Sequence, residues 1–158
     1  MRFIHTADWQ IGKVFRRFGD KEALFRDARL QVIETIGRTA VAEGAGHVLV
    51  AGDVWDVETP HPATRRAPLE RMRQFPSVTW HLLPGNHDPH RPKGLWDQVL
   101  GNEVPVNVRP RLSPEPVEIA PGAFLLPAPL TRKSDTADLT AWMDSAPTPP
   151  GALRIGLA

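Results

Sequence analysis

Three short stretches of this chain set polar side chains directly after apolar runs. They are Asp8 and Gln10 in "TADWQ", Asp53 and Asp56 in "AGDVWD", and Asn86, His87 and Asp88 in "PGNHD". Asp8 and Asp53 offer hard anionic oxygens, while Gln10 and Asn86 offer neutral carbonyl oxygens. With no cysteine anywhere in the chain, such a donor set suits Mg²⁺, Mn²⁺ or Fe²⁺ better than a closed zinc site. Two carboxylates brought together repel each other, and cations remove that cost. A carboxylate can bridge two cations about 4 Å apart, the spacing of in-line phosphoryl displacement. Asp53, in the central motif, is the candidate bridge. Taken singly, each motif is also ordinary turn chemistry.

The elements around these motifs must bring them together. Phe3 to Ala7 reads as a strand ending at Asp8, His47 to Ala51 as a strand buried on both faces, and Val78 to Leu83 as a third. Asp20 can cap a long helix. In it Leu24, Ala28, Val32, Ile36 and Ala40 recur every four residues as a core stripe, closed by Gly44 and Gly46. A second helix is expected from about Pro62 to Gln74, despite Pro68. Strand-helix-strand order makes the three strands parallel neighbours. Their carboxyl ends then share one edge, where open α/β folds place their sites. Turn chemistry does not explain that shared edge.

Further along, residues 95 to 100 suggest a short helical turn and Val104 to Val108 a strand. Val117 to Ile119 and Ala123 to Leu126 alternate with proline turns, which predicts antiparallel hairpins rather than crossovers. Asp135 to Met143 reads as a helix and Leu153 to Leu157 as a strand. No internal repeat is present.

The totals narrow the class. A chain of 158 residues fits one domain with a real core. Its 41% hydrophobic and 23% charged residues describe a globular chain rather than a disordered one. A net charge of +1 demands neither nucleic acid nor an acidic membrane, although arginine, suited to phosphate, predominates among the basic residues. The lack of cysteine excludes disulfides and cysteine nucleophiles and fits a cytoplasmic location. No apolar run approaches the roughly 20 residues of a membrane span, and Asp8 interrupts the stretch that a signal peptide would need.

"DWQ", "GDVWD" and "GNHD" together resemble the D-x-H, G-D-x-x-D and G-N-H-D/E blocks of calcineurin-like metallophosphoesterases. "IHTADWQIGK" and "LVAGDVWD" are most similar to the SbcD-like DNA repair exonucleases. The likeness is clear over residues 2 to 90, and three blocks in order are specific where one is weak. It implies an α/β/β/α sandwich with mixed sheets, and a nuclease or other phosphodiesterase driven by a hydroxide that two divalent cations, manganese foremost, activate. By position, Asp8 would bind one cation, Asp53 both and Asn86 the second. His87 would stabilise the phosphate or protonate the leaving oxygen, with Asp88 orienting its ring. DNA and an SbcC-type ATPase are the implied partners, with a homodimer allowed and no membrane.

Two departures stand out. Gln10 occupies a position where the family usually has histidine, which predicts a looser first cation site or contact only through water. No histidine occurs after His90, whereas the family draws further ligands from later histidines. Residues 1 to 158 are therefore expected to be a metallophosphoesterase domain cut short before those ligands, with doubtful activity alone. Two other readings stay open: a phosphoesterase acting on nucleotides or phosphoproteins, and a non-catalytic domain of the same fold.

Other residues weigh less. Lys13, Arg16 and Arg17, interleaved with Phe15 and Phe18, suit a nucleic-acid backbone about as well as they suit a solvated loop, and Arg132-Lys133 is a weaker case. Trp9 and Trp55 favour packing over stacking on a base. His5 reads as packed or supporting the site, His47 and His81 as structural, and His61 and His90 as solvent loop residues. Asp56 is either an acceptor behind the site or a helix cap.

Overall fold

The computed structural model describes residues 1–102 and 104–158. Four strands, β1 (Phe3–Thr6), β2 (His47–Val50), β3 (Thr79–Leu82) and β4 (Val108–Pro110), form a parallel sheet in the order β1-β2-β3-β4. Three helices, α1 (Glu22–Ala42), α2 (Pro62–Arg73) and α3 (Leu95–Asn102), carry the chain from each strand to the next. Because the strands follow chain order without reversal, right-handed crossovers put all three helices on one face.

Alternation along the strands divides the interior in two. Val48, Val50, Trp80, Leu82 and Val108 pack with Ile33, Ala40, Leu69, Met72 and Trp96 of the helices. Leu49, one residue out of phase, packs with Leu83, Leu125 and Leu157. The last two belong to a second sheet made of β5 (Val117–Ala120), β6 (Ala123–Pro127) and β7 (Leu153–Leu157). The layers run helix, sheet, sheet, the mixed α/β arrangement that the sequence implies.

Several elements differ from expectation. The line from Leu24 to Ala40 is not the core face of α1, for Leu24 is 67% and Val32 50% exposed. At 3.6 residues per turn a spacing of four overshoots by about 40° each time, so by Ala40 the line has wound about 160° around the helix. Ile33, Gly37 and Ala40 are the buried set. Nor does Asp20 cap α1. The chain enters from a 3₁₀ turn over Arg16–Lys21, and the Glu22 amide donates to the Gly19 carbonyl instead.

The strand expected at Val104 to Val108 begins only at Val108. Pro105 has no amide for a ladder, Val106 is exposed, and the buried Asn107 turns its amide onto the carbonyls of Met72, Phe75 and Val78. Residues 135 to 143 are not an α-helix. Asp135 binds Arg132 and the Ala137 amide, and Asp138 binds the amide and hydroxyl of Thr140. Such local bonds outcompete the helix, leaving a 3₁₀ turn at Ala141–Ser145. The second sheet holds one hairpin, β5 with β6, whereas β6 and β7 are parallel and joined by a crossover. Among the described residues no helix is long and apolar enough to cross a membrane.

Candidate metal centre

Beyond their last paired residues, the first two strands stay stitched together. The Asp8 amide donates to the Gly52 carbonyl at 3.3 Å, Gln10 to Asp53 at 2.8 Å, Ile11 to Val54 at 2.9 Å, and Asp56 back to Ile11 at 3.1 Å. Ile11 and Trp55, both buried, form a parallel bridge that anchors this seam in the core. The third strand end joins it through Asp53, whose Oδ1 accepts the His87 amide at 2.9 Å. A Cβ on Gly85 would lie 2.1 Å from that same oxygen, so only glycine admits the Asp53 carboxylate here. Gly52 and Gly85 also face each other closely, at 3.0 Å from an added Cβ to a Cα.

Backbone strain concentrates at the same edge. Asp8, Gln10 and Asp53 have φ of 56°, 46° and 54°, in the left-handed region that side chains usually avoid. Each such residue costs on the order of 1 kcal/mol or more and persists where surrounding contacts hold it. Among the described residues Lys93 alone joins them as a non-glycine with positive φ. Three of the four oxygen-bearing residues singled out from sequence therefore share one uncommon conformation.

Asp53 is buried, Gln10 partly so, and Asp8 and Asn86 are exposed, so the cluster opens to solvent. Among the described residues no group of three His, Cys, Asp or Glu gathers to hold a metal. The oxygens at this edge come instead from two carboxylates and two amides. Hard oxygens of this kind, one on a buried carboxylate, fit a divalent cation of the Mg²⁺ or Mn²⁺ type.

His87 is held by Asp56, not by Asp88. Its Nδ1 lies 3.0 Å from the Asp56 carbonyl and 3.5 Å from Asp56 Oδ1. A carbonyl only accepts, so Nδ1 carries the proton and Nε2 is the nitrogen left for chemistry. Asp88 is fully committed elsewhere. Its carboxylate accepts the amides of Trp55 at 3.0 Å and Gly85 at 2.7 Å, and its carbonyl accepts the Trp96 indole N–H. Burial pushes the Asp88 carboxyl up to about 7 against the opposing pull of those amides, and the Asp53 charge adds to the rise. The role of Asp88 is to pin the second and third strand ends together. Asp56 proves to be the acceptor behind the site, since His61 caps α2 by accepting the Ala63 amide.

Lys13, Arg16 and Arg17 line an open cleft of about 430 Å³ with Val14 and Phe15. Lys13 turns inward, donating to Gln10 Oε1 at 2.5 Å and lying 3.9 Å from Asp56 Oδ1. Arg17 lies 5.0 Å over the Phe18 ring, and Phe15, Phe18 and Phe25 pack together beneath the loop.

The remaining residues are structural. Trp9 packs edge-on against Trp80 and Trp55 against Trp96, both too buried to stack on a base. His5 is exposed rather than packed, and His90 pairs with Asp97 at 3.1 Å. Arg132 is clasped by Asp135. Arg111 donates to His81 Nδ1 at 2.8 Å, so His81 carries its proton on Nε2 and donates to His47 Nδ1 at 3.1 Å. Two interactions escape sequence reasoning altogether. Lys13 on Gln10 depends on a turn that spacing does not reveal, and Arg111 on His81 joins residues 30 apart.

A layered α/β domain with hard oxygen donors and a fixed imidazole at the ends of parallel strands has the build of a metallophosphoesterase. Residues 1–126 match the family model described as calcineurin-like phosphoesterase, and the chain belongs to that family. Over 120 residues it is 34% identical to the SbcD subunit of the SbcCD nuclease from Rhodobacter capsulatus. That match covers 73% of this chain and 28% of the relative, so the chain spans well under two thirds of the relative's length.

Proposed function

We propose that this chain carries the strand-end core of a metal-dependent phosphodiesterase whose substrate is DNA. The observation that supports it best is the seam in which Asp8 donates to Gly52, Gln10 to Asp53 and the His87 amide to the Asp53 carboxylate, which sets metal-type oxygens beside an oriented imidazole. Divalent cations, manganese foremost, would be held by Asp53 and Asn86 with Asp8 alongside. Bound there, they would supply electrophilic stabilisation of the phosphoryl oxygens and an activated water.

The chain's own residues do the rest. The His87 amide fixes one Asp53 oxygen and leaves the other for the cation. With Nδ1–H directed at Asp56, His87 can deliver a proton from Nε2 to the leaving oxygen when the ring is doubly protonated, and an imidazolium there faces the Asp56 carboxylate. Arg16 and Arg17, exposed at the adjoining cleft, suit the phosphates of a bound strand. The likeness to a nuclease subunit favours DNA over nucleotides or phosphoproteins. An SbcC-type ATPase partner, a role in DNA repair and a cytoplasmic setting belong to the same proposal.

The test is cleavage of DNA by the intact protein with Mn²⁺. Asp53→Ala should abolish it, and His87→Ala should lower turnover by on the order of 100-fold with bound metal unchanged. Equal loss of metal in both variants contradicts these roles.

A further inference from the structure

The strand-end oxygens occupy three of the four places along the edge of the parallel sheet. Asp8 follows β1, Asp53 follows β2 and Asn86 follows β3, while the fourth place, past β4, opens into a pocket of about 350 Å³. We propose that this pocket receives a nucleobase of the bound strand, packed against Trp142 and recognised at its amino edge by Asp138. The inference rests on the reading of DNA as substrate and adds where a base is held.

The pocket is tied to the edge that carries the metal-type oxygens. The Arg111 amide donates to the Leu82 carbonyl at 2.8 Å, which carries the pairing of β3 with β4 one residue further and sets Leu112 in the pocket wall. Pro129 and Thr131 form another stretch of that wall. Between them, Leu130 donates to the Pro84 carbonyl at 3.3 Å and accepts the His90 amide at 2.8 Å, so it clasps both ends of the turn that carries Asn86 and His87. Neighbouring strands lie about 4.8 Å apart, which places the end of β4 one strand from Asn86 and two from Asp53. The loop of Arg16 and Arg17 follows β1, at the far end of the strand order. A nucleic-acid strand laid from that loop to the pocket would pass the oxygens between them.

The lining selects a base rather than a phosphate. Leu112, Pro129, Leu139 and Trp142 give it apolar surface, and Asp138 is the one charged side chain among the lining residues. An ionised carboxylate repels phosphate and accepts N–H groups. The amide and hydroxyl of Thr140 both bind Asp138 Oδ1, at 2.8 and 2.6 Å, which fixes the carboxylate and leaves Oδ2 for a ligand. Acidic side chains read the amino group of cytosine in this way, and aromatic rings add a contact that any base can make. Thymine has no exocyclic amino group, so cytosine should be preferred to it.

Trp142 also reports on the pocket. Of the five tryptophans, Trp9, Trp55, Trp80 and Trp96 are buried and Trp142 alone is partly exposed. The experiment titrates the metal-free intact protein with oligo(dC), oligo(dT) and an abasic strand of the same length. Tryptophan emission reports the pocket, anisotropy of a labelled strand gives the affinity, and circular dichroism confirms the fold of each variant. Oligo(dC) should quench the emission and bind about 10-fold tighter than the abasic strand, with oligo(dT) in between. Trp142→Ala should abolish the quench and bring oligo(dC) down to the abasic affinity. Asp138→Asn, whose amide oxygen can still serve Thr140 while its N–H₂ faces the ligand, should erase the preference for oligo(dC) over oligo(dT) and keep the quench. Equal affinity of wild type for oligo(dC) and the abasic strand, or a quench that survives Trp142→Ala, overturns the proposal and leaves Mn²⁺-dependent cleavage to stand on its own. Binding of none of the strands overturns the DNA reading along with it.

Discussion

Gly85 and Asp53 come so close that no side chain fits between them: a Cβ on Gly85 would stand 2.1 Å from Asp53 Oδ1 and 2.3 Å from its amide nitrogen. The contact joins the turn after β3 to the turn after β2, and Asp88 closes the same corner by accepting the Gly85 and Trp55 amides. Two backbones and a buried carboxylate are thereby packed into a space that tolerates nothing larger.

Gly85→Ala should therefore damage site and fold together. The added methyl meets the Asp53 amide nitrogen as well as its buried carboxylate, so turning the side chain aside does not suffice and the strand ends must part. A loss of about 3 kcal/mol is expected, which for a chain of this size is roughly 10 °C in Tm. Thermal unfolding of the metal-free protein checks this, and an unchanged Tm contradicts the packing described.

Asp56 is expected to act through His87. Asp56→Asn keeps the main-chain carbonyl that orients Nδ1 but removes the carboxylate 3.5 Å from the ring. Turnover on DNA should fall by about 10- to 100-fold with metal content unchanged. In a His87→Ala background the same change should cost almost nothing further, because the two residues work as a unit. Additive losses would separate Asp56 from His87.

Much of this arrangement is legible in the sequence. The three motifs at the ends of apolar runs, with helical spacing between them, suffice to align Asp8, Asp53 and Asn86 along one sheet edge, since parallel order follows from connectivity. What the sequence hides is lateral. The choice between Asp56 and Asp88 as partner of His87 turns on which carboxylate the backbone amides capture, and neighbours in sequence point to the wrong one. The Leu24 to Ala40 stripe misleads because an exact four-residue repeat winds around a helix instead of staying on one face. At residues 135 to 140, Asp135 and Asp138 bind nearby groups and remove a helix that apolar spacing suggests.

The buried His81 makes stability depend on pH. Burial, then the nearby Arg111 charge, lowers its pKa from 6.5 to about 3. The unfolded chain therefore binds a proton that the folded one refuses as pH falls below 6.5, and stability declines towards pH 3. The slope from this group is about 1.4 kcal/mol per pH unit at most. His81→Gln should flatten the unfolding free energy over pH 6 to 4 relative to wild type, as urea titrations would show. Parallel curves would mean that His81 titrates alike in both states.

Arg16 and Arg17 should contribute to strand binding electrostatically. Replacing both with alanine should weaken DNA binding irrespective of sequence. The slope of log affinity against log salt should also fall by about one unit for each phosphate that the loop no longer neutralises. Fluorescence anisotropy at several salt concentrations measures both effects, and an unchanged slope would return this loop to a solvated surface.

The most direct test concerns the strand-end oxygens themselves: the affinity of the intact protein for Mn²⁺, measured by isothermal titration calorimetry for wild type, Asp53→Ala and Asn86→Ala. Saturable binding that weakens at least about 10-fold in each variant is the predicted result, with the exposed His5→Ala as an unaffected control. Variants that bind Mn²⁺ as the wild type does would show that Asp53 and Asn86 hold no common ion.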